Sequence, residues 1–234
     1  MQEEVKKHTN KIFKVANNSS YSFSKKVKEV LIEILIIVFA VSISIYLHGW
    51  SAHRHEQKEV KVFLTNLRED LIKDINTIKY DKNIYLKINK QSNDVLKLKA
   101  SQFDSIARTG NKVDIPLHIF GSKINNGNYE GFKTSGKIGY IENEKLKQMI
   151  LAYYQTDVLN IGEMDRFYAQ YVVKTIDSQV DYVNKTDKEK YLDPIFREKI
   201  GLLIGLGENN IEQYNYIITN ISKIVKEVEK ELNK

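Results

Sequence analysis

Cysteine is absent from all 234 residues, which excludes disulfides, thiolate nucleophiles and thiolate metal ligands together. Proline occurs twice, as Pro116 and Pro194, and neither proline nor glycine interrupts residues 51–109. A stretch so poor in helix breakers is expected to be helical. The familiar catalytic signatures are also missing: there is no H-E-x-x-H and no G-x-S-x-G. Ser135-Gly136-Lys137 superficially resembles a phosphate loop, but no Ser or Thr follows the lysine, and the tripeptide reads as a turn before a helix. Charge is missing from one place. Residues 34–53 contain no Lys, Arg, Asp or Glu, in a chain that is 28% charged.

Extended back to Val30, that run reads VLIEILIIVFAVSISIYLHGW and ends at Trp50. At about 1.5 Å per residue it matches a hydrocarbon core of roughly 30 Å. No later segment approaches this length without charge, so one crossing is expected at residues 30–50, with 51–234 as a domain on one side of the bilayer. A cleaved leader is the competing reading. The run is longer than an h-region of about 7–15 residues, and Trp50-Ser51-Ala52 sets a bulky ring where cleavage needs a small residue. Tyr46 and Trp50 suit the headgroup layer at the exit. Residues 1–29 carry seven Lys and three Glu, with Lys25, Lys26 and Lys28 against the run, which places this tail in the cytoplasm and the large domain outside it.

The net charge of +6 invites a nucleic-acid reading, but the tail supplies much of it. Residues 51–234 hold 29 basic and 26 acidic residues, interleaved and not gathered into a stripe. No nucleic-acid partner is expected, and the tail lysines suit anionic headgroups.

Beyond the membrane run, Leu64, Leu67, Leu71, Ile75, Ile78, Tyr85, Ile88 and Val95 recur at helical spacing. Asp74, Asp81 and Lys82 fall near this seam and predict imperfect packing there. The reading is a helix over 51–109, continuous with the membrane helix as a stalk, and an irregular cap over 110–143. A second helix spans 144–184 and a third 194–233. Within the cap, Val113 to Phe120 reads as extended and Tyr129 to Lys133 as a helical turn. Asn143 caps the second helix, whose apolar face runs Leu146, Ile150, Tyr153, Ile161, Met164, Tyr168, Val172, Ile176 and Val180. Asp193-Pro194 starts the third. Its seam, Ile211, Tyr214, Ile218, Ile221, Val225, Val228 and Leu232, alternates three and four as in a coiled coil and is expected to pack inside the chain's own bundle rather than between subunits. The fold class is all-α. With short connections the helices would run up, down and up as a three-helix bundle, the cap at the membrane-distal end and the turn near Lys185–Asp193 nearer the bilayer.

The segment Glu33-Ile34-Leu35-Ile36-Ile37-Val38 leading to Trp50, followed by a charged helix, resembles an uncharacterised family of single-pass envelope proteins of Gram-negative bacteria. The block Tyr129-Glu130-Gly131-Phe132-Lys133-Thr134-Ser135-Gly136-Lys137-Ile138-Gly139-Tyr140-Ile141-Glu142-Asn143, then Leu146 and Tyr153-Tyr154, is similar to that family's central pattern. The chain departs from it with Ala40 for the usual Gly and Gly49 for the usual Asn before Trp. The resemblance implies a bacterial inner-membrane location, a cytoplasmic amino terminus and a periplasmic domain, and no activity.

Candidate functional residues follow from position. Glu33 is the one ionisable side chain among the apolar residues, close enough to the interface to reach Lys28 or the headgroups. Glu33, Ser42 and Ser44 are candidates for contact with another membrane helix. His48, His53 and His55 suggest a metal site or a pH switch, but one helix cannot gather them around one ion, which only a ring of such helices could do: His48 and His55 lie about 10.5 Å apart along the axis and His53 points away from His55. In the cap, Glu130, Lys133, Lys137 and Glu142 are candidates for partner contact, because a connector of this length exceeds what joining two antiparallel helices needs. The Gly201-Leu202-Leu203-Ile204-Gly205 run reads as close helix packing or a bend. The expectation is a membrane-anchored, non-enzymatic envelope scaffold or sensor acting through protein contacts, with the lipid bilayer and a protein partner or second copy as partners. No cofactor, metal or small-molecule substrate is indicated. One rival is an accessory subunit of a channel, transporter or secretion complex, docking through its membrane helix. Another is an envelope enzyme using Glu130, Glu142 or Glu144.

Overall fold

The computed structural model describes residues 2–17, 23–119 and 121–234. All regular structure among them is helical, in the order α1 (Gln2–Ala16), α2 (Phe23–Leu96), α3 (Ala100–Arg108), α4 (Gly127–Thr134), α5 (Glu144–Ala152), α6 (Val158–Asp177), α7 (Asp187–Tyr191) and α8 (Pro194–Leu232). A π-helical turn, Tyr153–Asp157, links α5 to α6, and 3-10 turns lie at Lys137–Tyr140 and Ser178–Tyr182. The chain divides into two compact units, Met1–Glu59 and Val60–Lys234, and α2 contributes to both.

In the first unit, α2 is the one helix among the described residues long and apolar enough to cross a membrane, which is compatible with a membrane anchor. Leu31, Ile32, Leu35, Val38, Phe39, Ile45 and Trp50 all stand exposed on it, an apolar surface that no other described part of the unit covers. Arg54 stacks over the Trp50 ring at 4.9 Å. The exception is Glu33, which is buried.

The second unit is a bundle of α2 from Val60, α5–α6 and α8. Its pairings fix the helix directions. Arg68 meets Glu229 at 2.8 Å, Lys82 meets Asn215 at 3.1 Å, and Arg197 reaches the Leu96 carbonyl at 2.5 Å, so α8 runs antiparallel to α2. Asn143 donates to Glu231 at 2.8 Å and Tyr214 to Asp165 at 2.6 Å, so α8 is antiparallel to α5–α6 as well. Tyr153 donates to Asp74 and Tyr85 to Asp165, which makes α5–α6 parallel to α2. The up-down-up order is therefore corrected: the second helix runs in the direction of the first. The connector accounts for this by returning along the whole bundle. The Val113 amide donates to Asp187, Ser122 to Asp81, Asn125 to Asp74 and Asn128 to Asp70, and Phe132 then stacks on Phe63 at 4.0 Å. The expected distal cap thus sits at the end where the chain enters the domain at Val60, and α7 sits at the Leu96 end, the reverse of what short connections predict.

Several local features follow from sequence chemistry. Asn143 accepts from the Leu146 amide at 3.1 Å, and Asp193 from the Ile195 and Phe196 amides, each capping its helix. The single helix expected over 51–109 is interrupted at Lys97–Lys99, where α2 ends and α3 starts. Residues 113–119 lie outside helix and strand, and Phe120 of the expected extended run lies outside the described residues. The α8 seam packs within the chain: Tyr214, Ile217, Ile221, Ile224 and Val228 are buried, and Ile218 and Val225 are half-buried. Serving two neighbours, α2 and α5–α6, widens its apolar face beyond a coiled-coil stripe. Ile176 and Val180, expected in the core, are exposed. From Val172 a step of four residues turns Ile176 about 40° around the helix, and Val180 lies beyond α6 in the 3-10 turn Ser178–Tyr182, where the α-helical repeat no longer holds. Gly201 and Gly205 have open space around them, whereas Gly207 packs against Asn89 of α2, where a Cβ would lie 2.5 Å from the amide oxygen. Gly207 is the glycine that close packing requires.

Candidate functional site

Among the apolar and aromatic side chains of the domain's interior lie several acidic ones. Asp70, Asp74 and Asp81 lie on the same face of α2 as Leu67, Leu71, Ile78 and Tyr85, and all are buried. A buried carboxylate is tolerated only when donors satisfy it. Asp74 accepts from the Asn125 amide N–H at 2.9 Å, the Asn125 side chain at 2.7 Å and the Tyr153 hydroxyl at 2.9 Å. Asp81 accepts from the Ser122 hydroxyl at 2.6 Å. The match is metrical. Fully extended, the three steps from 122 to 125 would advance about 10 Å, and the seven helical steps from 81 to 74 advance about 10.5 Å.

Asp165 of α6 joins this line to α8. It accepts from Tyr214 at 2.6 Å, Tyr85 at 3.3 Å and the Ser122 amide N–H at 2.8 Å, and Asn210 donates to the Tyr85 hydroxyl at 2.9 Å. Burial pushes the carboxyls of Asp74, Asp81 and Asp165 above the usual range, opposed by these donors. Burial also raises the hydroxyls of Tyr85, Tyr153 and Tyr214 far above the ordinary phenol value, so they stay neutral donors. Ser122 donates to Asp81 and has no histidine base beside it among its hydrogen-bond partners. The hydrogen bonds of the array clamp the connector and the three long helices together. From periodicity alone, Asp74 and Asp81 read as flaws in an apolar seam. The signal that periodicity misses is their register with the buried face, which calls for internal partners, and the polar residues at 122, 125 and 128 that supply them.

The candidates in the cap cluster along one segment at the Val60 end. Glu130 is half-buried on α4, Lys133 is exposed with its Nζ 5.4 Å over the Tyr129 ring, Lys137 is half-buried and Glu142 is exposed. Beneath them Tyr129 and Phe132 are buried, Tyr129 stacking on Tyr154 at 4.1 Å, so these aromatics form the lid of the core. Glu144 pairs with Lys147 at 2.6 Å. Gly131, Gly136 and Lys137 do carry the spacing of a phosphate loop, but Gly131 lies inside α4, no strand precedes it among the described residues, and Ile138 stands where a Ser or Thr would bind the metal.

In the first unit, His8 and Lys11 of α1 both reach the Glu33 carboxylate. They take the place that sequence proximity assigns to Lys28. Ser42 is exposed and Ser44 half-buried on α2. His48, His53 and His55 are all exposed, with His55 3.7 Å from Glu59. Among the described residues no group of three or more His, Asp or Glu side chains is arranged to hold a metal ion.

No curated protein and no solved structure matches the chain. A family model does, over residues 33–195, from the residue that α1 engages to the start of α8. That span holds both blocks on which the resemblance rested and the interior carboxylates Asp70, Asp74, Asp81 and Asp165. By this match the chain belongs to DUF6090, a family of unknown function.

Proposed function

We propose that the protein is a membrane-anchored, non-enzymatic scaffold or sensor of the bacterial envelope, held in the inner membrane by residues 30–50, with its amino terminus cytoplasmic and its domain periplasmic, acting through protein contacts. The observation that carries this is a row of apolar side chains on α6 and the turn after it, Val173, Ile176, Val180 and Val183, at 43%, 41%, 72% and 74% exposure. Such a row on a folded domain supports a contact surface there. The charged corner of Glu130, Lys133, Lys137 and Glu142 is a second contact surface. The non-enzymatic part is supported by the interior acids Asp74, Asp81 and Asp165, whose hydrogen bonds all serve the fold.

A second reading, docking of the membrane helix on a larger membrane complex, is favoured by the exposed Ser42 on an otherwise apolar surface. Photo-cross-linking residues placed singly at 133, 142, 176, 180, 42 and 44 of the full chain, in native membranes, separate the two. Protein adducts at the domain positions support the scaffold. Adducts confined to 42 and 44 support the docking subunit and refute the scaffold.

A further inference from the structure

In α1, His8, Thr9 and Ile12 are half-buried, and His8 and Lys11 hold the buried Glu33. The face turned away carries Lys6, Lys7 and Lys14, with Phe13 among them at 64% exposure and Glu3 as the one opposing charge among its described side chains. We propose that this outer face is a binding surface for anionic phospholipid of the bilayer itself, with Phe13 dipping into the acyl boundary and Glu33 fixing the helix at the membrane surface. Two features select lipid as the occupant. The first is charge: three lysines complement anionic headgroups, and a lone exposed aromatic among lysines is the composition of helices that lie in the interface. The second is position: α1 is tied to a residue only one turn inside the apolar run, so its lysines stand at headgroup depth if that run spans. The ion pair also satisfies Glu33 within the chain, which explains how a carboxylate is accommodated there.

The inference rests on the membrane-anchor reading, and one preparation tests both. The full chain carrying Phe13→Trp and Trp50→Phe, so that its single indole sits on α1, is reconstituted into vesicles of phosphatidylcholine, with or without about one third phosphatidylglycerol, the acyl chains brominated. Quenching of that indole in the anionic vesicles, reduced roughly twofold or more in neutral vesicles and by Lys6→Gln, Lys7→Gln and Lys14→Gln together, is the expected result. Equal quenching in all three overturns the anionic-lipid claim. Blue-shifted but unquenched emission overturns it in favour of a protein partner or a second copy, and solvent-like emission leaves α1 off the bilayer. Resistance of the same vesicles to carbonate extraction reports the anchor separately. A protein that stays with the vesicles while its indole goes unquenched defeats this inference alone, and one that is stripped off defeats the anchor.

Discussion

Asp74 accepts two hydrogen bonds from Asn125, one from its backbone N–H at 2.9 Å and one from its side chain at 2.7 Å. That doubled contact, across 51 residues of sequence, holds the returning connector against α2 and makes the parallel course of α5–α6 possible. Replacing Asp74 with Ala strands the Asn125 and Tyr153 donors. A loss of about 3 kcal/mol is expected, read from urea unfolding of the full chain in detergent. Asn125→Ala should cost less, and the two should couple in a double-mutant cycle by at least about 0.5 kcal/mol. Strict additivity would mean that the contact does not hold the connector.

The direction of the connector was the least legible part of the fold. Periodicity marked the α2 and α8 seams well because Leu64 to Val95 and Ile211 to Leu232 keep a regular repeat that any helical partner would bury. Short connections between antiparallel neighbours are the common case, and a connector traversing the bundle leaves no local pattern. Its trace is long-range: Asp81 and Asp74 against Ser122 and Asn125, pairs recognisable only when helical and extended rises are compared. The apolar run at residues 30–50 was legible from length alone, whereas the pairing of Glu33 with Lys11 and, across 25 residues of sequence, with His8 is a long-range contact that no motif signals.

Acid should act on these carboxylates with a definite sign. Burial raises Asp74, Asp81 and Asp165 above their ordinary value of 3.8, so the folded state takes up protons before the unfolded chain does. Their contribution to stability grows as pH falls through the raised values toward 3.8 and is lost as pH rises back through them. Glu227 and Glu231, held below 4.5 by lysine and asparagine donors, act oppositely and lose their contribution as pH falls below that range. Asp165→Asn should therefore remove part of the acid-side gain above about pH 4. An unchanged dependence of the urea midpoint on pH would contradict the burial assigned to Asp165.

Gly207 and Asn89 form a tighter test of helix approach. A Cβ at 207 would lie 2.5 Å from the Asn89 amide oxygen, the same oxygen that is buried without a partner, while the Asn89 nitrogen donates to the Ile204 carbonyl at 3.1 Å. Gly207→Ala should destabilise by about 1–3 kcal/mol, and far less in an Asn89→Ala background. Equal costs in both backgrounds would place the obstruction elsewhere.

The α8 seam yields an ordered pair. Ile221 is fully buried and Ile218 half-buried, so Ile221→Asp should unfold the domain or cost upwards of about 3 kcal/mol, and Ile218→Asp clearly less. Neither should change the mass of the protein–detergent complex while it stays folded, because the seam packs within the chain. A fall in mass with stability preserved would instead place the seam between subunits.

The most direct measurement of the central claim is topology. Alkaline phosphatase fused after Lys234 of the full chain should be active, and the same reporter fused after Asn17 should be inactive, with the protein remaining in the membrane fraction after carbonate treatment. An inactive fusion after Lys234, or a domain released in soluble form by cleavage near Ala52, would contradict a single anchor at residues 30–50 with the domain outside the cytoplasm.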